Sequence, residues 1–377
     1  MKILIAGDFC DKFRVKDAIA SKEYEALFGN VRDIISSADF SIVNFEFPIV
    51  ATEGKPIAKC GPNLKGQPAS VAAIKYAGFN CCTLANNHIL DQGEECLLDT
   101  KNRIEKAGIQ TVGAGANLSE ASEILYLEKE GQKVAVINCC EHEFTIATNN
   151  TPGANPLNPI QQFYKIQEAR KNADYVLVIV HGGHEHYQLP SPRMKETYRF
   201  FVDAGADAVV NHHQHCYSGY EVYKEKPIFY GIGNFLFDHI SARNSIWNEG
   251  YMVVLNFGSD GIQYELIPYS HCTEKLGVKI LTDNSKFQAA IAEMNGIIAD
   301  DEKLRVRNKS FMDNTKYNYL PSFEPYQNRY LRGLYIRNLL PSSLSKKRIL
   351  RLLNILECEA HIERTIHALH DLLNRKK

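Results

Sequence analysis

Several acidic, amide and imidazole side chains stand where predicted β-strands end, and together they could bind metal ions. They are Asp8, Glu46, Asn87, His181 and the run His212-His213-Gln214-His215. Mixed oxygen and nitrogen ligands of this kind suit a pair of Mn, Fe or Zn ions. Two cations acidify a water and neutralise charge on the attacking and leaving oxygens, as hydrolysis requires. These residue types therefore indicate a binuclear metal-dependent hydrolase.

Each of these residues also has an ordinary structural explanation. An aspartate after a strand, such as Asp8, is most often a helix or turn cap. A single histidine at a strand end is most often structural. Capping does not explain why such residues recur at one predicted strand end after another. A shared metal cluster explains all of them at once.

The run Asn86-Asn87-His88 offers a neutral ligand followed by a free imidazole. We interpret His88 as a catalytic residue, because an imidazole beside metal ions can act as a general acid or stabilise a transition state. Asp91 follows three residues later and is the second catalytic candidate. It either orients His88 or caps the helix predicted to begin at Glu94.

The run of three histidines is expected to divide between two roles. Alternate residues of a strand face the same side, so His213 and His215 are predicted to serve two ions together. His212 would then face away and be structural. Glu185 and Asn234 are the candidate substrate-binding residues, although Glu185 could equally solvate its loop and Asn234 could tie the site loop in place.

The elements that must position these residues alternate along the chain. Short Val/Ile-rich runs alternate with helical periods up to about residue 270, which predicts an α/β domain with a mainly parallel core. Functional residues of α/β folds gather on loops at the carboxyl ends of strands. The candidate ligands occupy those loops.

The character of the chain changes after about residue 282. Phe287, Ile291, Met294 and Ile298 follow helical spacing, and Ile349–Leu373 is amphipathic. We predict a first domain over residues 1–280 and a C-terminal helical appendage over 281–377. The basic cluster from Lys346 to Arg351 is either a solvated face or a contact for a membrane surface or polymer.

Composition narrows the class of protein. Of 377 residues, 43 are Lys or Arg and 44 are Asp or Glu, so no net field favours nucleic acid. The apolar run at the start is too short for a signal peptide, and no stretch suits a membrane span. The ten cysteines form no CxxC pair and are predicted to be buried, reduced thiols. We therefore expect a cytoplasmic protein.

The motifs resemble the CapA family of capsule and poly-γ-glutamate synthesis proteins, which share the calcineurin-like metallophosphatase fold. The resemblance rests on ordered motifs: Gly7-Asp8, Asn44-Phe45-Glu46, Ala85-Asn86-Asn87-His88, His181-Gly182-Gly183 with Glu185, Gly205-Ala206-Asp207 before His212-His213-Gln214-His215, and Gly233-Asn234-Phe235. It covers roughly residues 1–270 and implies a β-sandwich of two mixed sheets flanked by helices.

The resemblance also implies roles for individual residues. Asp8 would bind the first ion, Glu46 would take the bridging carboxylate place, and Asn87 would bind the second ion. His88 would be the catalytic histidine, while His181, His213 and His215 would complete the ligand sets. The chain departs from the pattern at Cys10, where a histidine is usual, at Gly182, where the CapA family has tryptophan, and at Gln214, where it has proline.

We expect a metal-dependent hydrolase, of the phosphoesterase type, linked to capsule or poly-γ-glutamate-like polymer metabolism. Its substrate would be a polymer or a small phosphoester or amide. Two alternatives stay open: a non-enzymatic assembly factor for capsular polymer, and an amidase for γ-glutamyl or peptidoglycan-type bonds. The appendage would contact the polymer-synthesis machinery or a membrane surface.

Overall fold

The computed structural model describes residues 1–259, 261–326 and 328–375. It divides into two compact units, Met1–Asn308 and Lys309–Lys377. The boundary lies beyond the predicted one at residue 280, because helix Ser285–Ile298 buries its apolar stripe in the first unit. The ring of Phe287, for example, lies 5.4 Å from that of Tyr217 and 5.6 Å from that of Tyr251.

The first unit contains sixteen described strands and most of the helices. The strands are β1 (Lys2–Cys10), β2 (Phe40–Phe45), β3 (Cys81–Thr83), β4 (Gln110–Val112), β5 (Ala114–Gly115), β6 (Leu125–Lys129), β7 (Gln132–Cys140), β8 (Gly153–Ala154), β9 (Tyr175–His181), β10 (Ala208–His212), β11 (Tyr220–Tyr223), β12 (Lys226–Phe229), β13 (Asn234–Phe237), β14 (Glu249–Gly258), β15 (Gly261–His271) and β16 (Val278–Ile280). The helices are α1 (Arg14–Ala20), α2 (Tyr24–Phe28), α3 (Val31–Ser36), α4 (Ala69–Ala77), α5 (Glu94–Lys106), α6 (Leu118–Ala121), α7 (Pro159–Asn172), α8 (Pro192–Asp203), α9 (Ser285–Ile298) and α10 (Asp301–Thr315), which contains the boundary.

Two mixed sheets make up the core of this unit. The first has the order β16-β15-β14-β1-β2-β3-β4, with β13 also paired to β1, and the second has the order β11-β12-β10-β9-β7-β6. One apolar core joins their facing sides, with Ile5 and Ile42 from the first sheet and Val136 and Val178 from the second. Helices cover the outer sides. The predicted sandwich of two mixed sheets flanked by helices is confirmed.

A close backbone approach places the first candidate ligand. The pairing of β1 with β2 shifts register between Ala6 and Asp8. A Cβ atom on Gly7 would lie 1.9 Å from the carbonyl oxygen of Gly233, so only glycine fits there. Asp8 is thereby held beside β13 at the carboxyl end of β1.

The second unit is helical, as predicted for the appendage. Its helices are α11 (Arg329–Ile336), α12 (Lys346–Glu357) and α13 (Glu359–Arg375). The carboxylate of Glu324 accepts hydrogen bonds from the hydroxyls of Ser342 and Ser343. Across the described residues we find no helix with the length and apolar character that spanning a membrane demands.

Candidate metal centre

All six predicted metal ligands lie buried at one place between the two sheets. Asp8 lies near the carboxyl end of β1, and Glu46 and Asn87 follow the neighbouring strands β2 and β3 of the first sheet. His181 is the last residue of β9, and His213 and His215 follow β10 of the second sheet. Each of the six is at most 6% exposed. The sandwich therefore brings together side chains that are up to 207 positions apart in the sequence.

The ligand atoms fall into two overlapping groups. Glu46, His181 and His213 form one group, and Asp8, Glu46 and His215 form the other. Within each group the candidate ligand atoms all lie within 4.8 Å of one another. Glu46 belongs to both groups, so its carboxylate stands where a ligand shared by two ions would be.

The carboxylate of Glu46 is the strongest indication that a cation belongs here. Its residue is fully buried, and within the described part of the chain neither oxygen has a hydrogen-bond partner. Its Oε1 lies 3.6 Å from Nε2 of His181 and 3.9 Å from Nε2 of His215. A buried, unpaired carboxylate is costly unless a cation balances it. The residues present thus fit a divalent metal.

Burial changes the acidity of both carboxyl groups. Desolvation raises the pKa of Glu46 well above its usual value, and the nearby charge of Asp8 raises it further. Desolvation likewise raises the pKa of Asp8 to about 7. The two carboxyl groups can share a hydrogen bond only when one of them is protonated. Metal ions would therefore compete with protons for this pair.

Asn44 is a polar residue of the site to which the sequence motifs assign no role. Its Nδ2 donates to Oδ1 of Asp8 at 2.7 Å and lies 3.2 Å from Nδ1 of His181. The backbone N–H of His213 donates to the other oxygen of Asp8 at 3.2 Å. Asp8 is thus oriented by two donors. The motif Asn44-Phe45-Glu46 contained this residue, but a strand-end asparagine alone does not reveal such a contact.

His181 lies at the centre of the nitrogen ligands. Its Nε2 is 3.0 Å from Oδ1 of Asn87 and 3.1 Å from Nδ1 of His213. Desolvation lowers the pKa of His181 well below its usual value, and the neighbouring imidazoles lower it further. Desolvation does the same to the pKa of His215. Both imidazoles are therefore held neutral, the form that binds metals.

His213 and His215 lie in a turn after β10, and this turn, not a strand, brings them to the site. Strand β10 ends at His212, and His213 and His215 have φ angles of 89° and 55°. The prediction that His213 and His215 face the same side as alternate residues of a strand was wrong, because both residues lie outside β10. The turn directs the two rings into different ligand groups, 6.1 Å apart. Nε2 of His212 lies 3.0 Å from the carbonyl of Ala6, consistent with a structural role.

His88 and Asp91 form a buried pair beside Asn87. Nδ1 of His88 is 2.6 Å from Oδ2 of Asp91. The N-cap of α5 is Gly93, without a side-chain cap, so Asp91 orients His88 and does not cap that helix. Desolvation lowers the pKa of His88 even though Asp91 raises it. Lys59, which the sequence analysis missed, also contacts both side chains.

The two predicted substrate-binding residues occupy different environments. Asn234 is fully buried, and its Oδ1 lies 2.8 Å from Nδ1 of His215. Its Nδ2 donates to the carbonyls of His215 and Trp247. Asn234 therefore holds a candidate ligand. Glu185 is exposed, and its charge contributes to the raised pKa of Glu46.

An aromatic wall flanks the site on the side of His215. The ring of Trp247 lies 4.6 Å from that of His215, and the exposed His186 lies 5.6 Å from Trp247. No residue spacing in the sequence links Trp247 to the site. At Gly182, where the CapA family has tryptophan, a Cβ atom would lie 2.7 Å from Cγ of Glu141. Glu141 thus occupies the space next to this glycine.

Cys10, which stands where metallophosphatases usually have histidine, is a buried thiol. Desolvation raises its pKa well above the usual value, and the charge of Glu46 raises it further. Neither candidate ligand group includes it. All ten cysteines are free thiols, and eight of them are buried as predicted, while Cys60 is exposed and Cys358 is half-buried.

Comparison with known proteins agrees with the motifs. A family model described as "Bacterial capsule synthesis protein PGA_cap" matches residues 2–239. The capsule biosynthesis protein CapA of Bacillus anthracis is 34% identical over 246 residues, which cover 63% of this chain and 60% of that protein. The PGA biosynthesis protein CapA of Bacillus subtilis (strain 168) is 34% identical over 235 residues, 62% of each chain. The matched region is thus less than two thirds of either relative.

A crystal structure of a novel phosphatase from Mycoplasma pneumoniae aligns with 71% of this chain and 92% of its own, with a TM-score of 0.45 and 16% identity. A likeness of this size carries no argument about activity. The family model, by contrast, matches well over half of the chain, including all six candidate ligands and His88. The chain belongs to the bacterial capsule synthesis protein PGA_cap family.

Proposed function

We propose that this protein is a binuclear metal-dependent hydrolase of the phosphoesterase type that acts in capsule or poly-γ-glutamate-like polymer metabolism. The observation that carries the proposal is the carboxylate of Glu46, which is buried, without a hydrogen-bond partner among the described residues, and shared by both ligand groups. The order of Asp8, Glu46, Asn87-His88 and the three histidines also fits the metallophosphatase pattern.

Each ion would have its own set of ligands. Asp8, Glu46 and His215 would hold one ion, while Glu46, His181 and His213 would hold the second, with Asn87 beside them. Mixed ligands of this kind suit Mn, Fe or Zn. When bound, the ions would acidify a water and neutralise charge on the reacting oxygens.

His88 would supply the proton for the leaving oxygen from its doubly protonated form, and it would return to the neutral form with the remaining proton on Nδ1. Its Nδ1 contacts Asp91, which leaves Nε2 as the nitrogen that can transfer a proton. Asp91 fixes the ring and its tautomer through this contact. His88 is buried at the same place as the candidate ligands, so substrate would meet it next to the ions.

The charge of the centre favours a phosphoester over an amide. The two carboxylates of the ligand groups, Asp8 and Glu46, carry at most two negative charges. Two divalent ions held by these two carboxylates would leave the ligand set itself with a net positive charge, which suits the negative oxygens of a phosphoester at the reacting atom, whereas a scissile amide group is neutral. A γ-glutamyl polymer also carries carboxylates, so this argument applies to the reacting group alone, and a γ-glutamyl or peptidoglycan-type amide is the alternative substrate.

The names of the relatives favour a second candidate, a non-enzymatic role in polymer assembly. Both CapA relatives are described by biosynthesis and not by hydrolysis. An assembly role would use the second unit, where α12 and α13 expose Leu353, Leu356, Leu369 and Leu373. These helices would contact the polymer-synthesis machinery or a membrane surface. The ten free thiols support work in a reducing compartment such as the cytoplasm.

A substrate panel on metal-loaded protein tests the proposal. Bis(p-nitrophenyl) phosphate, p-nitrophenyl phosphate and γ-glutamyl p-nitroanilide would be compared for wild type and His88→Ala. We expect phosphoester turnover that His88→Ala lowers by roughly 10² to 10⁴-fold while metal content is kept. Metal-loaded protein that turns over none of the three would favour the assembly role.

A further inference from the structure

A segment without helix or strand crosses the loop that carries the catalytic candidate. Residues 51–65, here called the strap, lie between β2 and α4. The backbone N–H of Lys55 donates to the carbonyl of Gln92 at 3.0 Å, and that of Ile57 donates to the carbonyl of Asp91 at 3.1 Å. The side chain of Gln92 donates back to the carbonyl of Leu64 at 3.0 Å. The strap is therefore attached to the chain just after His88.

Lys59 is the strap residue that reaches furthest into the site. Its side chain is only 2% exposed. Nζ lies 2.5 Å from Oδ1 of Asp91, 3.3 Å from the carbonyl oxygen of Asn87 and 3.2 Å from Nδ1 of His88. One ammonium group thus contacts a catalytic candidate, its partner and the backbone of a candidate metal ligand.

These contacts use both oxygens of Asp91. Oδ1 accepts from Lys59, while Oδ2 contacts Nδ1 of His88 at 2.6 Å and accepts from the backbone N–H of Leu64 at 2.6 Å. A carboxylate held by three donors has one orientation. The orientation of Nδ1 of His88, which faces this carboxylate, is therefore fixed as well.

We propose that Lys59 is a positioning residue that fastens the strap over the His88–Asp91 pair and fixes the tautomer and orientation of His88. This inference rests on the proposed function for its catalytic meaning. Lys59 does not touch the reacting atoms, and it acts through Asp91 and His88. Its donation to the carbonyl of Asn87 also ties the strap to the ligand loop.

A simple ion pair with a structural role is the competing explanation. Such a pair would neutralise the charge of Asp91 without fixing the tautomer or the orientation of the His88 imidazole. The two explanations differ in what happens at His88 when the ammonium group is removed. A spectroscopic signature of the His88 ring separates them.

The full chain, loaded with diamagnetic zinc and labelled with ¹⁵N-histidine, provides that signature. The Nδ1 proton of His88 is identified by its loss in His88→Asn. We expect Lys59→Met to change the pair of ring ¹⁵N shifts from the pattern of a ring protonated at Nδ1 to that of mixed tautomers, and Lys59→Arg to keep the wild-type pattern. A simple ion pair predicts a small displacement of the resonance with the Nδ1-protonated pattern kept. Lys55→Met is the matched control, because Lys55 lies in the same strap with a side chain that is 80% exposed. It should leave the resonance unchanged.

Turnover of bis(p-nitrophenyl) phosphate is the second readout. Lys59→Met should lower kcat on the order of 10 to 100-fold with little change in KM or in zinc content, because a misplaced catalytic group slows the chemical step. A wild type without turnover would refute the proposed hydrolase, while the resonance would still test Lys59.

A His88 ring that keeps the Nδ1-protonated pattern in Lys59→Met would overturn the inference. Should Lys59→Met not fold, Lys59→Gln takes its place, since it keeps an N–H donor but has a shorter reach. The pattern of mixed tautomers in that variant supports the positioning role, and the Nδ1-protonated pattern contradicts it.

Discussion

Oε1 of Glu46 lies 3.6 Å from Nε2 of His181, although no donor within the described residues forms a hydrogen bond to either oxygen of this glutamate. The two residues come from different sheets of the sandwich and meet at the ends of β2 and β9. In the absence of a cation, this arrangement lowers the free energy of unfolding. A bound cation raises it.

Glu46→Gln is therefore expected to change stability in opposite directions with and without metal. With a chelator present, the variant should raise the free energy of unfolding by roughly 1 to 3 kcal/mol at a pH high enough to ionise Glu46 in the wild type, since it removes a buried unpaired carboxylate. With saturating Zn²⁺ or Mn²⁺ it should be less stable than wild type, because bound metal stabilises only the native state. Urea unfolding in both conditions measures the change.

Glu221→Gln provides a control for that experiment. The carboxylate of Glu221 pairs with Arg199 at 2.6 Å, so its loss should destabilise the protein with or without metal. A Glu46→Gln variant that behaves in the same way as this control would show that Glu46 is not held for a cation.

The raised pKa of Asp8 predicts a pH dependence of stability. The folded value of about 7 lies above the usual 3.8, so the native state binds a proton that the unfolded state releases. The contribution of Asp8 is fully present below about pH 4 and is lost as the pH rises through 7. The metal-free wild type should therefore lose stability relative to Asp8→Asn over this range, on the order of 2 to 4 kcal/mol.

Chemical denaturation at several pH values measures that difference, and the variant serves as the reference for titrating groups that do not interact with Asp8. Glu46, whose pKa the charge of Asp8 raises, contributes to the measured difference together with Asp8. Desolvation lowers the pKa of His181 and His215, which act in the opposite direction below pH 6.5 and cancel in the comparison. A difference between the two proteins that does not change with pH would contradict the prediction.

Asn234→Ala should weaken metal binding. Its Oδ1 contacts Nδ1 of His215 at 2.8 Å, and removal of such a partner typically costs 10 to 100-fold in metal affinity. Competition with a chromophoric chelator measures the affinity. Asn155→Ala is the control, because Asn155 is also buried but donates to the carbonyl of Asn138. Unchanged affinity with a raised KM would instead support the predicted substrate contact.

The second unit leads to a prediction about membranes. Helix α12 combines exposed Ile349, Leu350 and Leu353 with a basic start at Lys346. Such helices bind anionic lipid surfaces, and salt weakens the binding. The full chain should sediment with phosphatidylserine vesicles at low salt and less at high salt. Absence of sedimentation would leave the polymer-synthesis machinery as the proposed partner of this unit.

The sequence indicated which residues would lie together at the site, because strand ends are visible as short apolar runs followed by polar residues. That these residues bind metal stays a prediction. It did not predict Lys59, since the strap has no periodic pattern and its contacts depend on tertiary packing. The role of the turn at His213 was also hidden, because a left-handed conformation of a histidine has no sequence signature. The predicted boundary at residue 280 precedes the division between the two compact units at residues 308 and 309, since the apolar stripe of α9 does not reveal which surface it covers.

Elemental analysis of the purified full chain tests the central claim most directly. Wild type reconstituted with Mn, Fe or Zn and freed of loosely bound ions should retain about two ions per chain. Glu46→Gln should lose both, because its carboxylate belongs to both ligand groups. Wild type that retains no ion, or a Glu46→Gln variant that retains two, would contradict a binuclear centre built on Glu46.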